Sequence, residues 1–282
     1  MTLLKRIIPR LEIKGDNLVK GIHLEGLRVI GKPEFFAEKY YKDGADELIY
    51  QDVVASLYGT NTLENVIKKT AERIFIPLTV GGGIRSLNDI SRMLRSGADK
   101  VSINSAALQN PNLIKRASEK FGSSTIVISI ETQLVDGEYY VFTENGRNRS
   151  NKKLFQWIQE VQNLGAGEVI ITFIEHEGTG KGFNLKLIKK LQNNLRIPLI
   201  IAGGAGNKQN VLELLSFNKV SGAAISSIFH YEILKINNFN SEKFSTGNTD
   251  YLVDNKKVRK FDTIKIKNLK NFLYKKNIKV NL

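Results

Sequence analysis

The feature that most restricts how this chain can fold is a repeat at half length. "YKDGADELIYQD" (41–52) returns as "VQNLGAGEVIIT" (161–172), and "IPLTVGGGIRSLNDISRML" (76–94) returns as "IPLIIAGGAGNKQNVLELL" (197–215). More faintly, "RLEIKGDNLV" (10–19) returns as "SIETQLVDGE" (129–138). Each pair is about 120 residues apart. Solenoid units repeat at roughly 20–50 residues, so this period means two similar halves instead. Within each half, short apolar strands alternate with amphipathic helices. Strands are expected at 6–11, 47–52, 76–80, 100–104, 125–131, 168–173, 198–202 and 221–225. Helical patterns such as "PEFFAEKYYKDG" and "LNDISRMLRSG" lie between them, and several end in Gly, as helix C-termini prefer.

Strand–helix alternation implies a parallel sheet, and eight strands is the number that closes one into a barrel. The 282 residues suit one such barrel, which takes ~250. The expected fold is α/β: a single (β/α)8 TIM barrel over 1–282, made of two similar half-barrels. A polar segment, about 234–262, is expected as an insertion after the eighth strand.

Composition removes several chemistries. The chain has no cysteine, which excludes disulfides, thiolate metal sites and thiol nucleophiles. His23, His176 and His230 lack metal-ligand spacing, so neither a metal nor a cofactor is expected. The N-terminus lacks a signal-peptide core and no apolar run approaches ~20 residues, so a cytoplasmic protein away from membranes is expected. The net charge is +14, with ten Lys or Arg and one acid, Asp262, in residues 256–279. With no nucleic-acid-binding motif or aromatic platform, this reads as a solvated helix face in a protein that takes phosphorylated substrates, not nucleic acid.

A two-fold repeat has a chemical consequence. Any site in the first half has a mate across the barrel mouth, where such barrels place their chemistry. Glu12 ends the first strand and Glu131 ends the fifth. Two facing carboxylates suit paired acid–base work, and they suit structural salt bridging equally well. The loops "VGGGIRS" (80–86) and "AGGAGN" (202–207) form a second pair, each before a helix, where close backbone and helix dipole favour an anion. Each is backed by the end of the next strand, "SINSA" (102–106) and "ISSIF" (225–229). A ligand with a phosphate at each end, stretched between the carboxylates, is expected. Asp52, Glu175 and Glu177 add acid at the ends of strands two and six, and Lys20 is placed in the first loop as a clamp. Arg6, Glu47, Lys100 and Glu168 open four strands and could close the barrel bottom as a ring, which reads as stability.

"KRIIPRLEIKG", "GADELIYQD", "IPLTVGGGIRS", "GADKVSINSAA", "EGTGKG", "AGGAG" and "SIFH" together resemble the cyclase subunit of imidazole glycerol phosphate synthase over about 1–233 and 263–280. The resemblance implies a barrel paired at its bottom with a glutaminase, whose ammonia enters there and travels to the mouth. It makes Arg6, Glu47, Lys100 and Glu168 the salt-bridged ammonia gate. It places one phosphate at Gly83, Asn104 and Ser105 and the other at Gly178, Gly204 and Ser227, with Lys20 as the mobile-loop lysine. It makes Glu12, Glu131, Lys20 and Asp52 the catalytic set. The implied substrate is an aminoimidazole carboxamide ribonucleotide bisphosphate with a phosphoribulosyl arm. The implied products are imidazole glycerol phosphate and aminoimidazole carboxamide ribotide.

The departures also carry information. Glu12, Glu131, Glu175 and Glu177 stand where the family has aspartates, each moving the charge outward by one methylene. In a preorganised site a shift of ~1 Å can cost ~10²-fold in rate. Asp52 and the inlet ring keep the family's residue types. Three readings are therefore weighed: the family's cyclase; a related barrel that takes glutaminase ammonia to amidate an acetamido sugar in lipopolysaccharide or other surface-glycan synthesis, with a third, amidating enzyme; and a non-catalytic scaffold that activates its glutaminase and docks partners. The 234–262 segment reads as a lid, a docking arm or a tolerated surface insertion.

Overall fold

The computed structural model of the chain describes residues 4–55, 63–236 and 261–282. Eight strands form the barrel: β1 (Arg6–Lys14), β4 (Leu48–Asp52), β5 (Leu78–Gly81), β6 (Lys100–Ile103), β7 (Ile126–Val135), β10 (Glu168–Phe173), β11 (Leu199–Ala202) and β12 (Val220–Ile225). Neighbours pair in parallel in the order β10-β11-β12-β1-β4-β5-β6-β7, and β10 pairs with β7 from Glu168↔Val127 to Phe173↔Thr132, so the sheet closes. All eight expected strands are present. The described helices are α1 (Pro33–Lys42), α2 (Glu64–Ala71), α3 (Leu87–Arg95), α4 (Ser105–Gln109), α5 (Asn112–Phe121), α6 (Leu154–Asn163), α7 (Leu185–Leu191), α8 (Lys208–Leu215), α9 (Ser227–Ile236) and α10 (Ile266–Lys275). No described helix is long and apolar enough to cross a membrane.

Strand alternation sorts the side chains into two cores. Ile7, Leu11 and Ile13 face outward into the apolar layer shared with the helices. Ile8, Ile49, Val127, Ile170, Ile200, Ala202 and Ala224 face inward and fill the middle of the lumen. The half-barrel repeat extends to the helix starts. Ser86 accepts from the Asp89 amide to cap α3, and Asn207, its mate, accepts from the Asn210 amide to cap α8. The first strand and the C-terminal end also meet, where Lys5 bridges to Val280 in parallel. Lys270 of α10 binds Asp46 at 2.6 Å.

Four strands were not expected. β2 (Asn17–Ile22) and β3 (Glu25–Gly31) form a hairpin on the extended end of β1, and β8 (Glu138–Thr143) and β9 (Asn148–Lys153) form its mate on the extended end of β7. The second turns at Asp136–Gly137, with both φ positive, as the two-residue turn of a twisted hairpin requires. Lys20 is therefore a strand residue of β2, not a loop residue, and it is buried. Of the expected insertion at 234–262, residues 234–236 end α9 and 261–262 lead toward α10; the rest lies outside the described residues. Asp262 donates its amide to the Gly206 carbonyl, and the Phe261 ring stacks on Tyr231.

Candidate active site

The bottom of the barrel carries the expected ring. Arg6 binds Glu47 at 2.7 Å and also binds Glu168, while Lys100 lies 3.2 Å from Glu47 and 3.1 Å from Glu168. Each cation holds both anions, so the four close a circuit across the lumen. Thr79 and Ser221 add hydrogen bonds to Glu47 and Arg6. Above the ring lies the apolar layer, and above that the mouth.

β1 sends Arg6, Ile8, Arg10 and Glu12 inward at alternate positions, because side chains two apart share a strand face. Glu12 is 1% exposed and Glu131 is 3% exposed. Their settings differ. Glu12 accepts from Lys20 Nζ at 3.2 Å, and Lys20 also binds Glu177 at 2.5 Å. Burial alone would pull the Lys20 ammonium down, but Glu12 and Glu177 outweigh it and hold it above the ordinary lysine value. Burial likewise disfavours the Glu177 carboxylate, and Lys20 and Arg10 reverse this, holding it below the usual range. Glu131 has no such cation in contact. It accepts one hydrogen bond, 2.8 Å from the Gly146 amide. Burial pushes its carboxyl up to about 7, against the pull of Arg10 and Gly146. The pair thus has the divergent environments that acid–base partners need.

Glu131 opens onto a cleft that also includes Asp52, Gly83, Asn104 and Ser105. Gly83 takes φ +69 and its neighbour Gly82 takes φ +100. A Cβ at Gly82 would stand 2.4 Å from the Asp52 carbonyl, so this turn must be glycine. Asp52 accepts from the Val54 and Ala55 amides at 2.9 Å, and burial raises its carboxyl. Asn104 donates to the Phe142 carbonyl, and Ser105 accepts from the Glu144 amide, so both reach the second hairpin. Of the other proposed phosphate residues, Gly178, Gly204 and Ser227 do not line this cleft. A Cβ at Gly178 would meet the Gly21 carbonyl at 2.5 Å, so this glycine also lets the first hairpin pack down. Ser227 begins α9 and is buried. Glu175 accepts from the Leu134 amide at 3.3 Å, away from the Lys20 pair.

The hairpins roof the mouth. Leu24, Phe142 and Ile174 pack together, Asn145 donates to the Leu24 carbonyl at 3.0 Å, and the His23 amide donates to the Glu177 backbone carbonyl at 2.9 Å. Sequence reasoning missed this roof and the part played by Arg10, Gly146 and Asn145. A two-residue turn signal, "DG" at 136–137 between alternating segments, was the clue available. Among the described residues no group of three or more His, Asp or Glu is arranged to hold a metal ion.

Known proteins resemble this chain over most of its length. The family described as "Histidine biosynthesis protein" matches residues 6–235. "Imidazole glycerol phosphate synthase subunit HisF" of Legionella pneumophila is 52% identical over 202 residues, covering 71% of this chain and 95% of that protein. The protein of the same name from Staphylococcus saprophyticus is 44% identical over 239 residues, 84% of this chain and 95% of its own. That of Saccharolobus solfataricus is 42% identical over 237 residues, 84% and 94% respectively.

Proposed function

The chain belongs to the histidine biosynthesis protein family, and on that footing we propose that it is a synthase subunit of the imidazole glycerol phosphate synthase type, using ammonia from a glutaminase partner. One observation carries the reading: a single lumen has a charged inlet at its foot and two buried carboxylates in unlike settings at its head. The glutaminase docks at the bottom and releases ammonia against the Arg6–Glu47–Lys100–Glu168 ring. The apolar layer above it admits neutral ammonia and resists ammonium, since burying an unpaired cation is costly.

At the mouth, ammonia attacks the carbonyl of the phosphoribulosyl arm. Glu131, which carries a proton near neutral pH, gives it to the developing oxygen, and Glu12, held by Lys20, takes one from nitrogen. Gly83, Asn104 and Ser105 hold one phosphate, Gly178, Gly204 and Ser227 hold the other, and Asp52 shapes the first cradle. The test is direct. Purified protein with high ammonium and no partner is expected to convert the bisphosphate to imidazole glycerol phosphate and aminoimidazole carboxamide ribotide. Absence of both products from a folded protein that still binds its glutaminase would reject the cyclase reaction.

One observation favours a second reading. The cleft at Glu131 contains one cradle's residues and none of the other's. A ligand with a single anionic end, such as a nucleotide-linked acetamido sugar, fits that better than a bisphosphate. This reading expects no cyclase turnover and a stable complex with a third, amidating enzyme.

A further inference from the structure

Arg10 has no place in the inlet ring or in either cradle, yet its guanidinium crosses the lumen. It leaves β1 one interior position above Ile8 and one below Glu12, about 7 Å from each along the strand. Nη1 donates to Thr172 Oγ1 on β10 at 2.8 Å, so the side chain is tied to a strand three places round the barrel. It is 3% exposed. Nη2 stands 3.9 Å from Glu12 Oε1, a buried oxygen that accepts no hydrogen bond.

The charges around it do not balance in pairs. Two buried cations, Arg10 and Lys20, face four buried carboxylates, Glu12, Asp52, Glu131 and Glu177. Lys20 is taken by Glu12 and Glu177. Glu131 is left with a backbone amide and with Arg10, whose anchor Thr172 is the register partner of Glu131 on the adjacent strand, Arg147 approaching from the second hairpin. Of these carboxylates Glu12 faces Glu131 across the mouth, and Glu144 adds a further acid in the cleft.

We propose that Arg10 is a positioning residue of the ammonia-using reaction: tethered across the lumen by Thr172, it keeps the two mouth carboxylates in opposite roles. The guanidinium loosens the hold of Glu131 on its proton, so that the proton can be given up near neutral pH, and it faces the free oxygen of Glu12. The proposal rests on the acid–base reading above, and its test separates the two.

Glu131 is titrated by infrared spectroscopy in the whole chain, its protonated carboxyl band identified by loss in Glu131→Gln. Arg10→Met is expected to move the midpoint upward by at least one pH unit, and Arg10→Lys to restore it to within half a unit. The alkaline limb of kcat in the ammonium-driven reaction is expected to move with it. A midpoint unmoved in Arg10→Met overturns the proposal, whatever happens to kcat. A moved midpoint without conversion of the bisphosphate counts against the cyclase reaction and leaves the role of Arg10 standing. Should Arg10→Met not fold, Thr172→Val removes the tether and no charge. It is expected to move the midpoint the same way by less, and an unmoved midpoint there also overturns the proposal.

Discussion

A carboxyl that holds its proton to about pH 7 inside a folded chain stores a measurable penalty. Glu131 has a folded-state value raised above that of an unfolded glutamate. Its protonated form is fully compatible with the fold below the ordinary carboxylate range, and the advantage is lost as pH rises through about 7. Replacing it with Gln, which cannot ionise, is therefore expected to stabilise the protein at pH 8, on the order of 3 kcal/mol. The gain should vanish below about pH 4. Denaturant melts at the two pH values check this. The same variant is expected to lose at least ~10²-fold in kcat, as removal of a general acid does. A site that is more stable when disabled is the usual sign of strain kept for function. Lys20 acts in the opposite sense: one ammonium buried between Glu12 and Glu177 bridges both and offsets one of their two charges.

At the scale of elements, the hairpins decide access. The clasp joining them has a small apolar contact and few bonds, so Leu24→Ser is expected to loosen it without unfolding the barrel. Amide exchange at His23 and Gly146 should then rise at least tenfold while that of Ile170 and Ile200 is unchanged. Several barrel strands were legible as apolar runs bounded by helices, as in "EVIITF" and "LIIA". The hairpin strands were not. "NRSNKK" contains no apolar residue, and "NLVKGI" hides a lysine on its buried face. Glu12 and Glu131 were expected to end their strands; β1 runs on to Lys14 and β7 to Val135, and both carboxylates are buried. Lys20 was misplaced because its Glu177 partner is 157 residues away and nothing local announces it. Arg10 was visible as an interruption in an apolar strand, but its role depends on Thr172, 162 residues distant.

For the molecule as a whole, the two ends of the lumen ask for different partners. At the bottom, Phe75 is 81% exposed and Leu4 is 53% exposed, each just before a barrel strand. Large apolar side chains beside a charged inlet suit the centre of a protein interface. Phe75→Ser is expected to weaken glutaminase binding by at least tenfold in titration calorimetry and to leave the ammonium-driven reaction unchanged. At the mouth, two of the walls are β-hairpins continuous with the barrel sheet. This limits how such a site can diversify. A flexible rim tolerates insertions of any length, but a strand inverts with every single added residue. One residue inserted at the Gly15–Asp16 bend would take Lys20 off Glu12 and Glu177 and turn it onto the buried apolar contact that Val19 now makes with Val29 and Val53. In these two walls a new acceptor is accommodated by exchanging side chains in place or by lengthening a hairpin in twos.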